Sequence, residues 1–120
     1  MWTVTTKDYL PPGSAPTRQQ VDGMGGMVVL EFGTGWCGFC REAEPRFLAF
    51  LAKHPEVTHV KVEDGPARKL GRSFAVKLWP TFIFLHNGVV VRRLARPGDA
   101  EVEEAFQTLA TASPPAVSSP

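Results

Sequence analysis

Apolar and polar residues fall in blocks along the chain, and the period of each block predicts an element. Met27–Phe32 is a near-continuous apolar run broken only by Glu31, the pattern of a strand buried on both faces. After Trp36, Ala43, Phe47, Leu48 and Leu51 recur at helical spacing, with Glu42, Glu44, Arg46 and Lys53 on the other side. Pro45 lies inside this helix and predicts a kink there, and Pro55 ends it. Val57–Val62 forms a second strand, with Val60 and Val62 alternating around Lys61. Gly65-Pro66 opens a short helix whose apolar residues are Ala67, Leu70 and Phe74. In "TFIFLHNGVVVRRL" two β-rich runs flank Asn87-Gly88, the preferred two-residue hairpin turn. Asp99 is expected to cap a last helix, with Glu101, Glu103 and Glu104 at its N-terminal end. Val102, Ala105, Phe106 and Leu109 form its apolar stripe. The order strand, helix, strand, helix, hairpin, helix predicts an α/β layer architecture, part parallel with an antiparallel edge.

Residues 1–25 carry prolines at 11, 12 and 16 and glycines at 13, 23 and 25, and are expected to form an arm. Within it a short strand is expected at Trp2–Thr5 and a helical turn near Thr17–Asp22. Residues 26–112 make the domain, and "SPPAVSSP", residues 113–120, is a disordered tail by composition.

A length of 120 residues suits a single domain, and 43% hydrophobic residues supply a core without disulfide staples. The formal net charge of +1 gives no reason to expect nucleic acid or a membrane as partner. No apolar run approaches the roughly 20 residues that cross a bilayer. The N-terminus lacks the basic and apolar regions of a secretory signal, so the expected location is cytoplasmic, or periplasmic should a leader have been removed. The two cysteines stand three positions apart. They close too short a loop to constrain the unfolded chain, so the pair is reactive or metal-bound rather than structural.

The chemistry concentrates in "VVLEFGTGWCGFCREAEP", Val28 to Pro45, where three signatures overlap. Gly33, Gly35 and Gly38 spell the glycine fingerprint of a dinucleotide loop, with Glu63 or Asp64 as its acid. That fold needs more βαβ units than this chain supplies, and Trp36 and Cys37 would crowd a phosphate. Cys37, Cys40, His54 and His59 have the spacing of a zinc finger. Pro55, however, separates the two histidines, which are expected at an exposed helix end and on a loop. His86, next to the hairpin turn, is expected at the surface. The third reading is electron transfer. A thiol reacts as thiolate, with an unperturbed pKa near ~8.5. Cys37 at the start of a helix faces unpaired N–H groups and the positive end of the dipole. One helical turn brings Cys40 within disulfide reach. Cys37 would attack a substrate disulfide and Cys40 would resolve the mixed disulfide.

With these residues the chain resembles the thioredoxin family from about Val28 to Phe106. "WCGFC" is similar to the family's "WCGPC". Glu31 stands where the family keeps a buried carboxylate, Lys61 beside it, and Pro45 where it keeps a helix-kinking proline. "WPTFIFLHNG" resembles "IPTLLLFKNG", whose proline has a cis bond. The resemblance implies a thioredoxin fold, a central mixed sheet of four to five strands flanked by helices. It implies a thiol–disulfide oxidoreductase, a reductase or isomerase, with Cys37 and Cys40 as redox pair and Glu31 and Lys61 as proton-handling pair. The substrate surface would comprise Trp36, Gly38, Phe39, Trp79, Pro80 and Thr81. Partners would be proteins carrying disulfides or dithiols and an upstream thiol reductase or oxidase, acting on a monomer. No metal or organic cofactor is implied, because the cysteines carry the electrons.

The departures from the family pattern are specific. Gly33 replaces a second tryptophan, Phe39 a proline and Trp79 a smaller aliphatic residue, and the glycine expected before the last helix does not align with "ARPGD". Gly-Phe resembles the Gly-Tyr of a bacterial periplasmic disulfide isomerase, so a less reducing potential is expected. Arg92, Arg93 and Arg96 form either a solvated edge that blocks sheet pairing or a docking surface for acidic partners. Two alternatives stay open: a thioredoxin-like domain that binds a partner with little turnover, and a zinc-binding module.

Overall fold

A computed structural model of the protein describes residues 5–112. The short strand expected at Trp2–Thr5 therefore lies outside the described residues save for Thr5, and the tail 113–120 lies outside them entirely.

Four strands form one mixed sheet: β1 (Met27–Gly33), β2 (Thr58–Glu63), β3 (Thr81–His86) and β4 (Val89–Ala95), in the order β2-β1-β3-β4. β1 runs parallel to β2 and antiparallel to β3, and β3 pairs with β4 through the hairpin. Asn87 and Gly88 both take positive φ, 51° and 81°, the conformation a tight hairpin turn of this hand requires. Around the sheet stand helices α1 (Arg18–Asp22), α2 (Gly38–Leu51), α3 (Lys69–Ser73) and α4 (Asp99–Thr111). α2 continues through Pro45.

Alternation along β1 divides the core. Val28, Leu30 and Phe32 point to the face covered by Val21 of α1 and by Leu70 and Phe74. Val29 points to the opposite face, where Phe47 of α2 and Val102 and Phe106 of α4 pack. Phe47 stacks on Phe82 with ring centroids 4.3 Å apart. By the same two-residue period, Glu31 of β1 and His59 and Lys61 of β2 share the α2 face. All three are buried.

Three local expectations are corrected. Residues Gly65–Arg68 form a turn, with Ala67 at φ 64°, and α3 starts only at Lys69. α4 is capped by Gly98, not Asp99: Glu101 accepts the Gly98 N–H at 3.0 Å, and Asp99 is the first helical residue. The segment expected as an arm is packed against the fold. Thr6 donates its N–H to His59 O and Leu10 to Lys61 O, each at 2.8 Å, and Leu10 O accepts from Glu63 at 2.9 Å. Residues 6–10 thereby cover the outer edge of β2, and Leu10 makes an isolated parallel bridge with Val62. Val21 and Met24 lie in the core.

Candidate functional site

Cys37 is the N-cap of α2. Its Sγ accepts the Cys40 N–H at 3.2 Å, one of the amides a helix start leaves without a backbone partner. Both thiols are free, with exposures of 7% for Cys37 and 1% for Cys40. Burial, together with a hydrogen bond to Cys37, pushes the Cys40 thiol up to about 12. Trp36 beside them is 72% exposed and Phe39, between them, is 56% exposed. Gly38, the first residue of α2, is exposed.

The Trp79–Pro80 peptide bond is cis. Pro80 is buried, and Thr81 turns its hydroxyl onto Leu78 O. Trp79 is half-buried. Its indole N–H donates to Asp64 Oδ2 at 2.9 Å, and its ring meets Trp36 edge-on at 5.6 Å. The Trp79 carbonyl accepts from Arg96 Nε at 2.8 Å, and the Arg96 N–H reaches Pro80 O at 2.9 Å. Arg96 adopts φ 48°, and its guanidinium lies 4.0 Å from the centre of the Phe39 ring. It therefore links the loop before β3 to the dipeptide between the cysteines. The three arginines lie on or just after the outer strand β4, and each has a partner within the fold. Arg92 pairs with Glu104 at 3.0 Å, Arg93 donates to Phe74 O at 2.6 Å, and Arg96 is held as described.

Glu31 is 3% exposed, which excludes a solvated side chain. Its expected partner was Lys61, but the structure supplies two others. Tyr9 donates its hydroxyl to Glu31 Oε2, and His59 Nε2 lies 2.9 Å from Glu31 Oε1. With its hydrogen on Nε2, His59 donates to Glu31 and leaves Nδ1 as its unpaired buried nitrogen. Lys61 stands opposite Glu31 in the strand register, yet its Nζ bonds Lys7 O at 3.3 Å and lies 3.6 Å from Glu44. It also sits 4.4 Å from the centre of the Tyr9 ring.

Gly33 explains how Tyr9 enters. A Cβ there would stand 2.5 Å from Cys40 Sγ and 2.9 Å from the Tyr9 hydroxyl. The missing side chain makes room for both. Gly33 is thus a packing glycine at the end of β1 rather than part of a phosphate loop, and among the described strands β1 and β2 form the one parallel pair. The zinc constellation also fails. His59 is buried in β2 rather than on a loop, and His54 is half-buried and stacked on Phe106 with ring centroids 4.7 Å apart. Among the described residues no group of three or more His, Cys, Asp or Glu is placed to hold a metal.

Tyr9 was not singled out from the sequence, His59 was weighed there only as a metal ligand on a loop, and Arg96 only as part of an edge or docking cluster. The period-2 pattern of β2, which puts His59 on the face of Lys61, could have found the second. Nothing periodic marks the first.

The geometry agrees with what known proteins show. A family model described as Thioredoxin matches residues 16–110. A thioredoxin H-type of Ricinus communis is 38% identical over 86 residues, covering 71% of this chain and 70% of that protein. Thioredoxin H5 of Oryza sativa is 32% identical over 93 residues, covering 78% of this chain and 69% of that protein. Among solved structures, thioredoxin 2 from Pseudomonas aeruginosa in its reduced form superposes with a TM-score of 0.73 at 48% identity. It covers 94% of this chain and 100% of its own.

Proposed function

Because the chain belongs to the thioredoxin family and is a thiol–disulfide oxidoreductase, we propose that Cys37 is its attacking thiol and Cys40 its resolving thiol. The observation that carries this is Cys37 Sγ at the N-cap of α2, accepting the Cys40 amide at 3.2 Å. Negative charge on that sulfur is favoured by the amide and by the positive end of a helix of 14 residues. Cys37 thiolate attacks one sulfur of a substrate disulfide, and the other sulfur leaves as thiolate. Cys40 then attacks Cys37 Sγ. The second substrate sulfur leaves, and the protein keeps the Cys37–Cys40 disulfide. Two electrons pass to the substrate, and an upstream thiol reductase must return them. The opposite direction would oxidise a dithiol.

Trp36, Phe39 and the Trp79–Pro80–Thr81 loop offer the surface for protein substrates. The exposed Trp36 and Phe39 rings support apolar contact beside the disulfide. The finer specificity rests on the Gly-Phe dipeptide. A ring at position 39 in place of the family's proline favours a couple less reducing than thioredoxin, whose potential is near ~−270 mV.

Insulin reduction tests the assignment. Cys37→Ser is expected to abolish turnover. Cys40→Ser is expected to accumulate a mixed disulfide through Cys37. Turnover surviving in Cys37→Ser would reject the assignment. Equilibration with glutathione is expected to place the potential above the thioredoxin value, and a result at or below it would reject the isomerase-like reading.

A further inference from the structure

Cys40 poses a problem that the two-thiol scheme leaves unsolved. Its thiol is buried and pushed up to about 12, so at neutral pH it carries its proton when the mixed disulfide forms. To attack, it must hand that proton to a group within the protein. Tyr9 lies in reach. Its hydroxyl and Cys40 Sγ both border the space that Gly33 leaves open, at 2.9 Å and 2.5 Å from where a Cβ would stand. The hydroxyl and the thiol are therefore neighbours across that one space. The same hydroxyl donates to Glu31 Oε2, and His59 holds the other Glu31 oxygen at 2.9 Å.

We propose that Tyr9 is a catalytic residue whose hydroxyl passes the Cys40 proton to Glu31 as Cys40 attacks the mixed disulfide. The proposal rests on Cys40 being the resolving thiol. The Cys40 proton moves to the Tyr9 oxygen while the Tyr9 proton moves to the Glu31 carboxylate. The Cys40 sulfur bonds Cys37 Sγ, and the bond from Cys37 to the substrate sulfur breaks. The substrate thiolate takes a proton from solvent. Reduction of the Cys37–Cys40 disulfide returns the relay to its start.

A phenol suits the task because one oxygen both accepts and donates. Burial and the neighbouring Glu31 push the Tyr9 hydroxyl far up, so it gives up a proton only as it receives another. The charged and titratable groups around it are Glu31 from β1, His59 and Lys61 from β2, and Cys37, Cys40 and Glu44 from α2. Lys61 lies over the Tyr9 ring, with its Nζ 3.6 Å from Glu44.

Tyr9→Phe keeps the ring and removes the relay oxygen. In single turnovers from pH 6 to 9, it is expected to slow the resolving step about a hundredfold at neutral pH. The residual rate should rise in proportion to hydroxide, whereas the unaltered protein shows a flatter profile. Glu31→Gln should slow the same step, and the double variant should be no slower. Resolution in Tyr9→Phe at the normal rate and with the normal profile would overturn the relay. So would an equal slowing at every pH together with a lowered melting temperature, which marks a structural role. The unaltered protein supplies a second measurement. In mixtures of light and heavy water its resolving rate should bow downward, as two protons in transit require, and a straight line would overturn the relay. Failure of Cys40→Ser to trap the mixed disulfide would instead reject Cys40 as resolving thiol, and the relay with it.

Discussion

At the scale of single residues, a thiol kept protonated by its surroundings ties stability to pH. The Cys40 thiol is raised from an ordinary 9.0 to about 12. The folded state therefore holds this proton more tightly than the unfolded chain does. Its contribution is complete below pH 9.0 and is lost as the pH climbs toward about 12. The slope is at most about 1.4 kcal/mol per pH unit for each proton. Tyr9, also pushed up, adds a loss of the same sign above its ordinary 10.0. Urea titration of the reduced protein should show a flat stability near neutrality and a decline between pH 9 and about pH 11. Cys40→Ala should decline less, and equal declines would show that the thiol is not the cause. The two cysteines were legible in the sequence because the spacing, the flanking tryptophan and the helix start all converge on them. Tyr9 was not. It lies in a segment without period, and only folding along the β2 edge brings it to Glu31.

At the scale of elements, the hairpin shows how a turn can be fixed by more than its own strands. The Asn87 side chain accepts the Gly26 N–H at 2.7 Å, and the Asn87 N–H reaches Gly26 O at 2.9 Å. The turn is thereby held against the entry to β1. A Cβ on Gly88 would stand 2.0 Å from the Asp22 carbonyl oxygen, and the backbone there has φ 81°. Gly88→Ala is expected to cost about 2–3 kcal/mol, read from the denaturation midpoint, because close contact and backbone strain act together. A neutral result would mean that the Asp22 end of α1 yields freely. Asn-Gly made this turn readable from sequence, since few dipeptides tolerate two successive positive φ values. The starts of the helices were less readable. Pro66 and Asp99 are both good starters by type, yet Ala67 turns left-handed after the first, and Glu101 caps Gly98 one residue before the second.

At the scale of the whole molecule, the thioredoxin fold is completed by the segment before it. β2 is an outer strand, and residues 6–10 satisfy three of its backbone contacts that would otherwise face water. Three such bonds are worth about 3 kcal/mol in net stability. Deletion of residues 1–10 is expected to lower the melting temperature and to promote association through the bared edge, as measured by light scattering. A monodisperse, equally stable product would show that the edge protects itself. The four strands themselves were legible because each had its own period or turn. The role of the first segment was not, since proline and glycine suggested an arm while its bonds are made by the backbone, which carries no sequence signal.

Gly33 has one more effect. The room above its Cα is already taken by Cys40 Sγ and the Tyr9 hydroxyl, so positions 9 and 33 draw on a single shared volume. A large side chain at 33 would displace the Tyr9 hydroxyl as well as crowd Cys40 Sγ. Two sites distant in the chain therefore set each other's size limit.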